Sequence, residues 1–147
     1  MSYDFILFRL RRRPDAFPAR IPSDFGEDAV VSIDDPAPLH DALRADAAFE
    51  AGSTTAGVGV FEWRTPDGGV LGATVMAHGI NIGTHAHWDH VAHLFELALG
   101  VWPDTALFDL RAAQVHDLAS FRAFVERSYR NKAEAQARRA AGRQAGG

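Results

Sequence analysis

Two strand-like segments joined by a tight turn constrain the fold of this chain more than any other feature. Residues 58–64 and 70–77 contain several of the β-branched and aromatic residues that favour strands. The turn sequence TPDGG lies between them, at residues 65–69, where proline presets one backbone dihedral and glycine supplies a positive φ. This pattern predicts a β-hairpin and, with it, an antiparallel sheet.

Other strand patterns predict that further strands join the hairpin. Residues 3–10 (YDFILFRL) form a nearly continuous apolar run, which predicts a central strand buried on both faces. The following segment, residues 11–28, contains three prolines and predicts a loop. Shorter strands are expected at residues 29–33, 80–83, 105–110 and 114–116.

Three segments with apolar residues at helical spacing are expected to cover the sheet. The first helix follows Asp35-Pro36 and ends by Phe49, and residues 52–57 then break the pattern. The second covers residues 84–99, and the third follows the last strand. The residues expected to cap the three N-termini are Asp35, Thr84, and either Asp117 or Ser120.

A chain of 147 residues, with 47% apolar and 23% charged residues, has the composition of one globular domain. We expect a single α+β domain over residues 1–130, with a mostly antiparallel sheet of about five to seven strands and two or three covering helices. Residues 131–147 contain no large apolar residue and several arginines. We therefore expect a polar, locally basic tail there, either a frayed helix or disordered.

Composition also excludes several kinds of chemistry. The chain has no cysteine, which excludes disulfides, thiolate metal sites and a cysteine nucleophile. The net charge of −4 disfavours nucleic acid as a partner, and the run Arg11-Arg12-Arg13 is expected to be solvated. The sequence contains neither a signal-peptide pattern nor a run of ~18 apolar residues. We therefore expect a cytoplasmic protein that does not bind membranes.

A histidine-rich segment leads into the second predicted helix. Five of the seven histidines lie within residues 78–93. The motif His85-x-His87-x-Asp89-His90 resembles the metal-binding signature of the metallo-β-lactamase fold family, in which an apolar strand runs through the motif into a helix. The resemblance implies that the two leading histidines bind one zinc ion. It also implies that the Asp-His pair serves a second metal and the attacking water, as in a metal-dependent hydrolase.

The rest of the chain does not supply the other parts of such a site. The family needs further ligands well downstream, yet only His93 and His116 follow the motif, and 147 residues are too few for the family's αββα sandwich. Two alternatives remain. In the one we favour, residues 84–90 form a structural strand-to-helix junction in which Trp88 is an apolar anchor. In the other, the helical spacing of the histidines holds a metal ion without catalysis, or makes a pH-sensitive patch.

A second resemblance covers both ends of the chain. Residues 1–4 (MSYD) and the strand after them are similar to the start of small uncharacterised bacterial α+β proteins, and residues 107–117 resemble a strand and turn near the end of those proteins. Some of them resemble immunity proteins encoded beside bacterial toxins. This implies a non-catalytic protein that binds a protein partner through an acidic or mixed surface with aromatic anchors. Because Trp is enriched at interface hot spots, Trp63, Trp88 and Trp102 are candidates for such anchors; each is equally a candidate for the core, which is favoured for Trp88. Binding needs no cofactor, whereas the alternative, a metal-dependent hydrolase, needs zinc or another divalent metal.

Overall fold

This computed structural model describes residues 4–20, 27–51 and 59–146, which form nine strands, three α-helices and one short 3-10 helix (Glu27–Ala29). Every strand pairing within these ranges is antiparallel, so the α+β fold expected from the sequence is confirmed. The helices are α1 (Ala37–Ala45), α2 (Trp88–Val101) and α3 (Leu118–Gly146). The strands are β1 (Phe5–Leu10), β2 (Ala19–Arg20), β3 (Val30–Val31), β4 (Glu50–Ala51), β5 (Val60–Arg64), β6 (Val70–Met76), β7 (Gly79–Thr84), β8 (Thr105–Asp109) and β9 (Gln114–His116).

Strand β1 lies in the middle of the sheet. Eight strands follow one another in the order β2-β9-β8-β1-β7-β6-β5-β4, while β3 pairs with the end of β1. Leu7 of β1 lies opposite Leu107 of β8 on one side and Ile80 of β7 on the other. Because side chains alternate along a strand, Phe5 joins the large core on one face and Phe8 joins a smaller cluster on the other. The prediction that the first strand is central and buried on both faces is therefore confirmed.

All three helices pack on the same face of the sheet. Leu43 of α1, Phe95 of α2 and Phe121 of α3 belong to one buried cluster, together with Leu71 and Ile82 of the strands. The helices lie side by side on the sheet, as the sequence pattern predicts for two or three covering helices. The termini of α2 and the first half of α3 are therefore held in fixed positions relative to the hairpin β5–β6.

The sheet has two more strands than the upper end of the expected range. All seven segments predicted as strands form strands, and the additional ones are β2 and β4. Each of these has two residues, so neither carries a periodic pattern that sequence reasoning can recognise. Tyr3 of the first predicted strand, residues 21–26 of the predicted loop and the predicted break at residues 52–57 lie outside the described residues.

Helix α1 begins one residue later than expected and ends earlier. The N-cap is Pro36 rather than Asp35, although the Asp35 carboxylate still accepts a hydrogen bond from the N–H of the first helical residue, Ala37 (3.0 Å). The helix ends before Phe49, because the Asp46 carboxylate accepts a hydrogen bond from the Ala48 N–H (2.7 Å) and the chain turns there. The turn directs Phe49 into the core rather than along a helical stripe.

Helix α3 extends well beyond the body of the domain. Asp117 is its predicted cap, and its carboxylate accepts a hydrogen bond from the Ser120 N–H (2.8 Å). The helix continues through residues 131–146, and nearly all of the side chains described in that half are exposed. Despite its length, α3 is too polar to span a membrane, and none of the described helices meets that requirement.

Candidate functional site

The histidine-rich segment forms the connection between β7 and α2. β7 ends at Thr84, and α2 begins directly after His87, so His85 and His87 lie in the connection. The expectation that Thr84 is the N-cap is wrong. The cap is His87, whose Nδ1 accepts a hydrogen bond from the Asp89 N–H (3.1 Å). The Thr84 hydroxyl instead accepts a hydrogen bond from the Ala86 N–H (2.9 Å), because the strand continues through Thr84.

Asp67, in the turn between β5 and β6, links the hairpin to this connection. Its carboxylate accepts hydrogen bonds from the Thr65 hydroxyl and from the Gly69 N–H (3.1 Å). It also accepts one from the His87 N–H (3.2 Å) and lies 3.5 Å from Nε2 of His90. These hydrogen bonds, above all the one from Thr65, hold the pKa of Asp67 well below its usual value. The sequence pattern predicts only a turn at Asp67, since its contact with His87 spans 20 residues.

Tyr129 of α3 covers the same connection from the helical side. Its ring stacks on the imidazole of His87, with 3.7 Å between ring centroids and 17° between the planes. Its hydroxyl accepts a hydrogen bond from the Trp88 N–H (3.0 Å), one of the N–H groups that a helix start leaves free. Trp88 packs edge-on against Phe5, so it anchors the connection in the core. The connection is therefore held by Asp67 of the β5–β6 turn, by Phe5 of β1 and by Tyr129 of α3.

The four residues of the metal-binding motif do not converge on one point. His87 and Asp89 form a close pair, with 3.3 Å between Nδ1 and the carboxylate oxygen, and line a cavity of about 450 Å³. His90 faces Asp67, and His85 lines a different cavity of about 290 Å³. Over residues 4–20, 27–51 and 59–146, no three His, Cys, Asp or Glu side chains are grouped so that they could hold a metal ion.

His93 has a structural partner outside the motif. Its Nε2 lies 2.9 Å from a carboxylate oxygen of Asp46, and its ring stacks on Phe49 at 5.3 Å between centroids. His93 therefore joins α2 to the residues that follow α1.

A second candidate site lies at the opposite end of α2, around Trp102. The Trp102 N–H donates to the carbonyl of Ala98 (2.7 Å), and its own carbonyl accepts from the Thr105 hydroxyl (2.7 Å). The guanidinium of Arg9 lies 5.8 Å from the centre of the half-buried indole ring. Arg9 is itself held by a forked pair of hydrogen bonds to Asp104 (2.9 and 3.1 Å). Trp102 and Arg9 thus form a pair at the surface in which hydrogen bonds to Asp104 hold the guanidinium and the indole packs against the core.

The three tryptophans therefore have different environments. Trp63 is 5% exposed and belongs to the core, which excludes it as an interface anchor in this fold. Trp88 is half-buried under Tyr129. Trp102 combines partial exposure with packing against the core and a charged neighbour, which are the properties of an anchor at a binding surface.

Substitution of Tyr129 tests how far its hydroxyl supports the connection. We expect Tyr129→Phe to lower the free energy of unfolding by about 0.5–1.5 kcal/mol, because the Trp88 N–H loses its acceptor while the ring stack on His87 remains. Urea denaturation measures this difference. Arg130→Gln, at the next and exposed position of α3, is the matched control and should change stability by less than about 0.5 kcal/mol. Equal stability of both variants would contradict the assigned hydrogen bond.

No known family model matches this chain, and neither a curated protein nor a solved structure matches it significantly.

Proposed function

We propose that this chain is a non-catalytic protein-binding domain of the toxin-immunity kind, with a contact surface centred on Trp102. The observation that supports the proposal most directly is the fixed geometry of Trp102, Arg9 and Asp104 at the C-terminal end of α2. Trp and Arg are the residue types that most often dominate the binding energy of protein interfaces. Since Asp104 holds Arg9 and the core packs against Trp102, binding would cost less conformational entropy than for two unsupported side chains.

The charge distribution indicates which kind of partner this surface would attract. Residues 1–126 contain 18 of the 19 acidic residues and nine of the 15 basic residues, which gives this part of the chain a net charge of −9. Exposed carboxylates of Asp34, Asp35 and Asp41 lie along the start of α1. An acidic domain attracts a partner with a basic surface and accelerates the encounter. Toxins that act on nucleic acids carry basic surfaces of this kind, so an acidic immunity domain is suited to cover them.

The proposal is tested with the protein encoded beside this chain in its genome of origin. We expect the two purified proteins to bind, and we expect Trp102→Ala to weaken the complex at least about tenfold in isothermal titration calorimetry. Val60→Ala is the matched control, because Val60 is 41% exposed and lies on the face of the sheet that the helices leave open. It should change the affinity by less than about twofold. Raising the salt concentration should weaken the complex, since the attraction is partly electrostatic.

A growth assay tests the immunity function itself. Co-expression of this chain should protect cells from the neighbouring protein, and the Trp102→Ala variant should protect them less. The proposal fails if the two proteins do not bind and the neighbouring protein is harmless. A zinc- or manganese-dependent hydrolase activity that is lost in His87→Ala would instead establish the alternative function. Elemental analysis of protein purified without a histidine tag then measures how much metal the chain carries.

A further inference from the structure

We propose that the cavity between the β7–α2 connection and α3 binds the phosphate group of a small molecule. The cavity has a volume of about 290 Å³ and is lined by His85 and Trp88 on one side and by Ser128, Tyr129 and Lys132 of α3 on the other. This volume is at the lower end of the range for small-molecule sites. The site is distinct from the surface around Trp102.

The charge of the cavity is opposite to that of the chain. Within residues 4–20, 27–51 and 59–146, no carboxylate lines this cavity, although the chain has a net charge of −4. Two other cavities contain carboxylates together with basic groups: Asp104 and Asp117 lie with Arg11 and Arg13 in one, and Asp89 and Glu126 lie with Arg122 in the other. The cavity also lies beside the basic part of α3, since residues 127–147 contain six basic residues and one acidic residue. An anion is therefore attracted to this cavity, where no carboxylate among the described residues opposes it.

Three polar groups in the cavity are free to donate hydrogen bonds. Over the described ranges, no carboxylate pairs with Lys132, and the His85 side chain has no hydrogen-bond partner. An imidazole carries at least one N–H in either of its protonation states. The Tyr129 hydroxyl accepts its hydrogen bond from the Trp88 N–H, which leaves its own proton for a ligand.

The kind of donors favours phosphate over carboxylate. A planar carboxylate offers two oxygens in one plane and a charge of −1, whereas a phosphate group offers three acceptor oxygens in a tetrahedral arrangement and a charge of roughly −1.5 to −2. A lysine amine, a phenol and an imidazole are single donors that approach from separate directions, which suits the oxygens of a tetrahedral phosphate. The rings of Trp88 and Tyr129 supply apolar surface for the organic part of the molecule.

The two candidate sites can be tested separately. Trp102 follows α2 and the phosphate cavity lies at its start, so the 14 residues of the helix separate them by about 20 Å. Loss of partner binding would leave the phosphate proposal intact, and the reverse also holds. The variants used for one site therefore serve as controls for the other.

The test is a titration of the isotopically labelled protein with inorganic phosphate and with phenyl phosphate, followed by nuclear magnetic resonance at near-physiological salt. We expect the backbone signals of residues 84–88 and 128–132 to shift, and phenyl phosphate to bind more tightly because its ring contacts the aromatic wall. Lys132→Gln should weaken phosphate binding at least about tenfold, since it removes the charged donor. Arg139→Gln removes the same charge two turns further along α3 and should weaken binding by less than about twofold, because salt screens that distance.

Three results would overturn the proposal. The first is the lack of any shift in these two segments at phosphate concentrations on the order of 10 mM, which would exclude even millimolar affinity. The second is an equal loss of binding in Lys132→Gln and Arg139→Gln, which would mean that the basic helix attracts anions without a site. The third is acetate binding as tightly as phosphate, which would assign the cavity to carboxylates.

Discussion

We expect Phe5→Ala to lower the free energy of unfolding by about 3–5 kcal/mol, a large part of the stability of a domain of this size. Phe5 is 1% exposed and makes edge contacts with the rings of Trp88 and Phe121, each at 5.4 Å between centroids. The substitution leaves a cavity where the ring of Phe5 was. Because β1 is paired on both sides, the backbone around this cavity cannot move in to fill it. The loss should therefore include the cost of the cavity as well as that of the missing ring.

Urea denaturation of Phe5→Ala and of a matched control measures this effect. Leu110→Ala removes an apolar side chain that is 39% exposed, directly after β8, and should change stability by less than about 0.5 kcal/mol. A loss of less than about 1 kcal/mol for Phe5→Ala would show that β1 is not the centre of the core. Because Phe5 also supports Trp88, the variant should in addition loosen the β7–α2 connection, which the fluorescence of Trp88 would report.

The second large effect that we expect is a loss of stability in mild acid that depends on His116. The side chain is 1% exposed, its Nδ1 lies 2.9 Å from the Ser120 hydroxyl, and its Nε2 has no partner in the described part of the chain. Burial against α3 lowers the pKa of His116 below its usual value, although the carboxylates of Asp109 and Asp117 act in the opposite direction. The folded protein therefore resists protonation of this imidazole.

The sign of the effect follows from the lowered pKa. The unfolded chain takes up a proton on His116 near pH 6.5, before the folded protein does. The contribution of His116 to the free energy of unfolding is therefore fully present above about pH 6.5 and decreases as the pH falls below that value. The slope for a single group is at most about 1.4 kcal/mol per pH unit.

Comparison with His116→Phe isolates this contribution. The variant lacks the titrating group, so the free energy of unfolding of the native protein should fall more steeply than that of the variant between about pH 6.5 and pH 5. His78→Gln, at an exposed position between β6 and β7, should show the native slope. Carboxylates such as Asp67, whose pKa is held low, stop contributing to stability only at a lower pH. This loss is the same in the native protein, His116→Phe and His78→Gln, so it does not affect the comparison. Parallel profiles for the native protein and His116→Phe would refute the assignment.

The parts of the fold that the sequence predicts correctly depend on local chemistry. The turn TPDGG at residues 65–69 joins two paired strands, and the apolar run in β1 is buried on both faces. Asp117, one of the two residues expected to cap α3, accepts the backbone hydrogen bond of a cap. In each case the decisive interaction lies within a few residues or follows from a simple periodicity, which a sequence displays directly.

The parts that the sequence does not predict depend on contacts between distant residues. Tyr129 reaches the Trp88 N–H across 41 residues, and Asp67 reaches His87 across 20. Neither residue belongs to a motif, so its role appears only once α3 and the hairpin are in place. The cap at His87 is missed for a different reason, because threonine is a much commoner cap than histidine and Thr84 lies close by. The motif itself is visible in the sequence, but the directions of its side chains are not.

The central position of β1 also sets an order of events while the chain is being synthesised. Its partners β7 and β8 follow it by roughly 70–100 residues, so at usual translation rates the ribosome needs roughly 4–20 s more to produce them. Throughout that interval the six residues of β1, apolar apart from Arg9, have no sheet to enter. Such a segment is prone to aggregate in a nascent chain. The central strand of the folded sheet is thus the first segment that a ribosome-associated chaperone would have to bind in order to prevent aggregation.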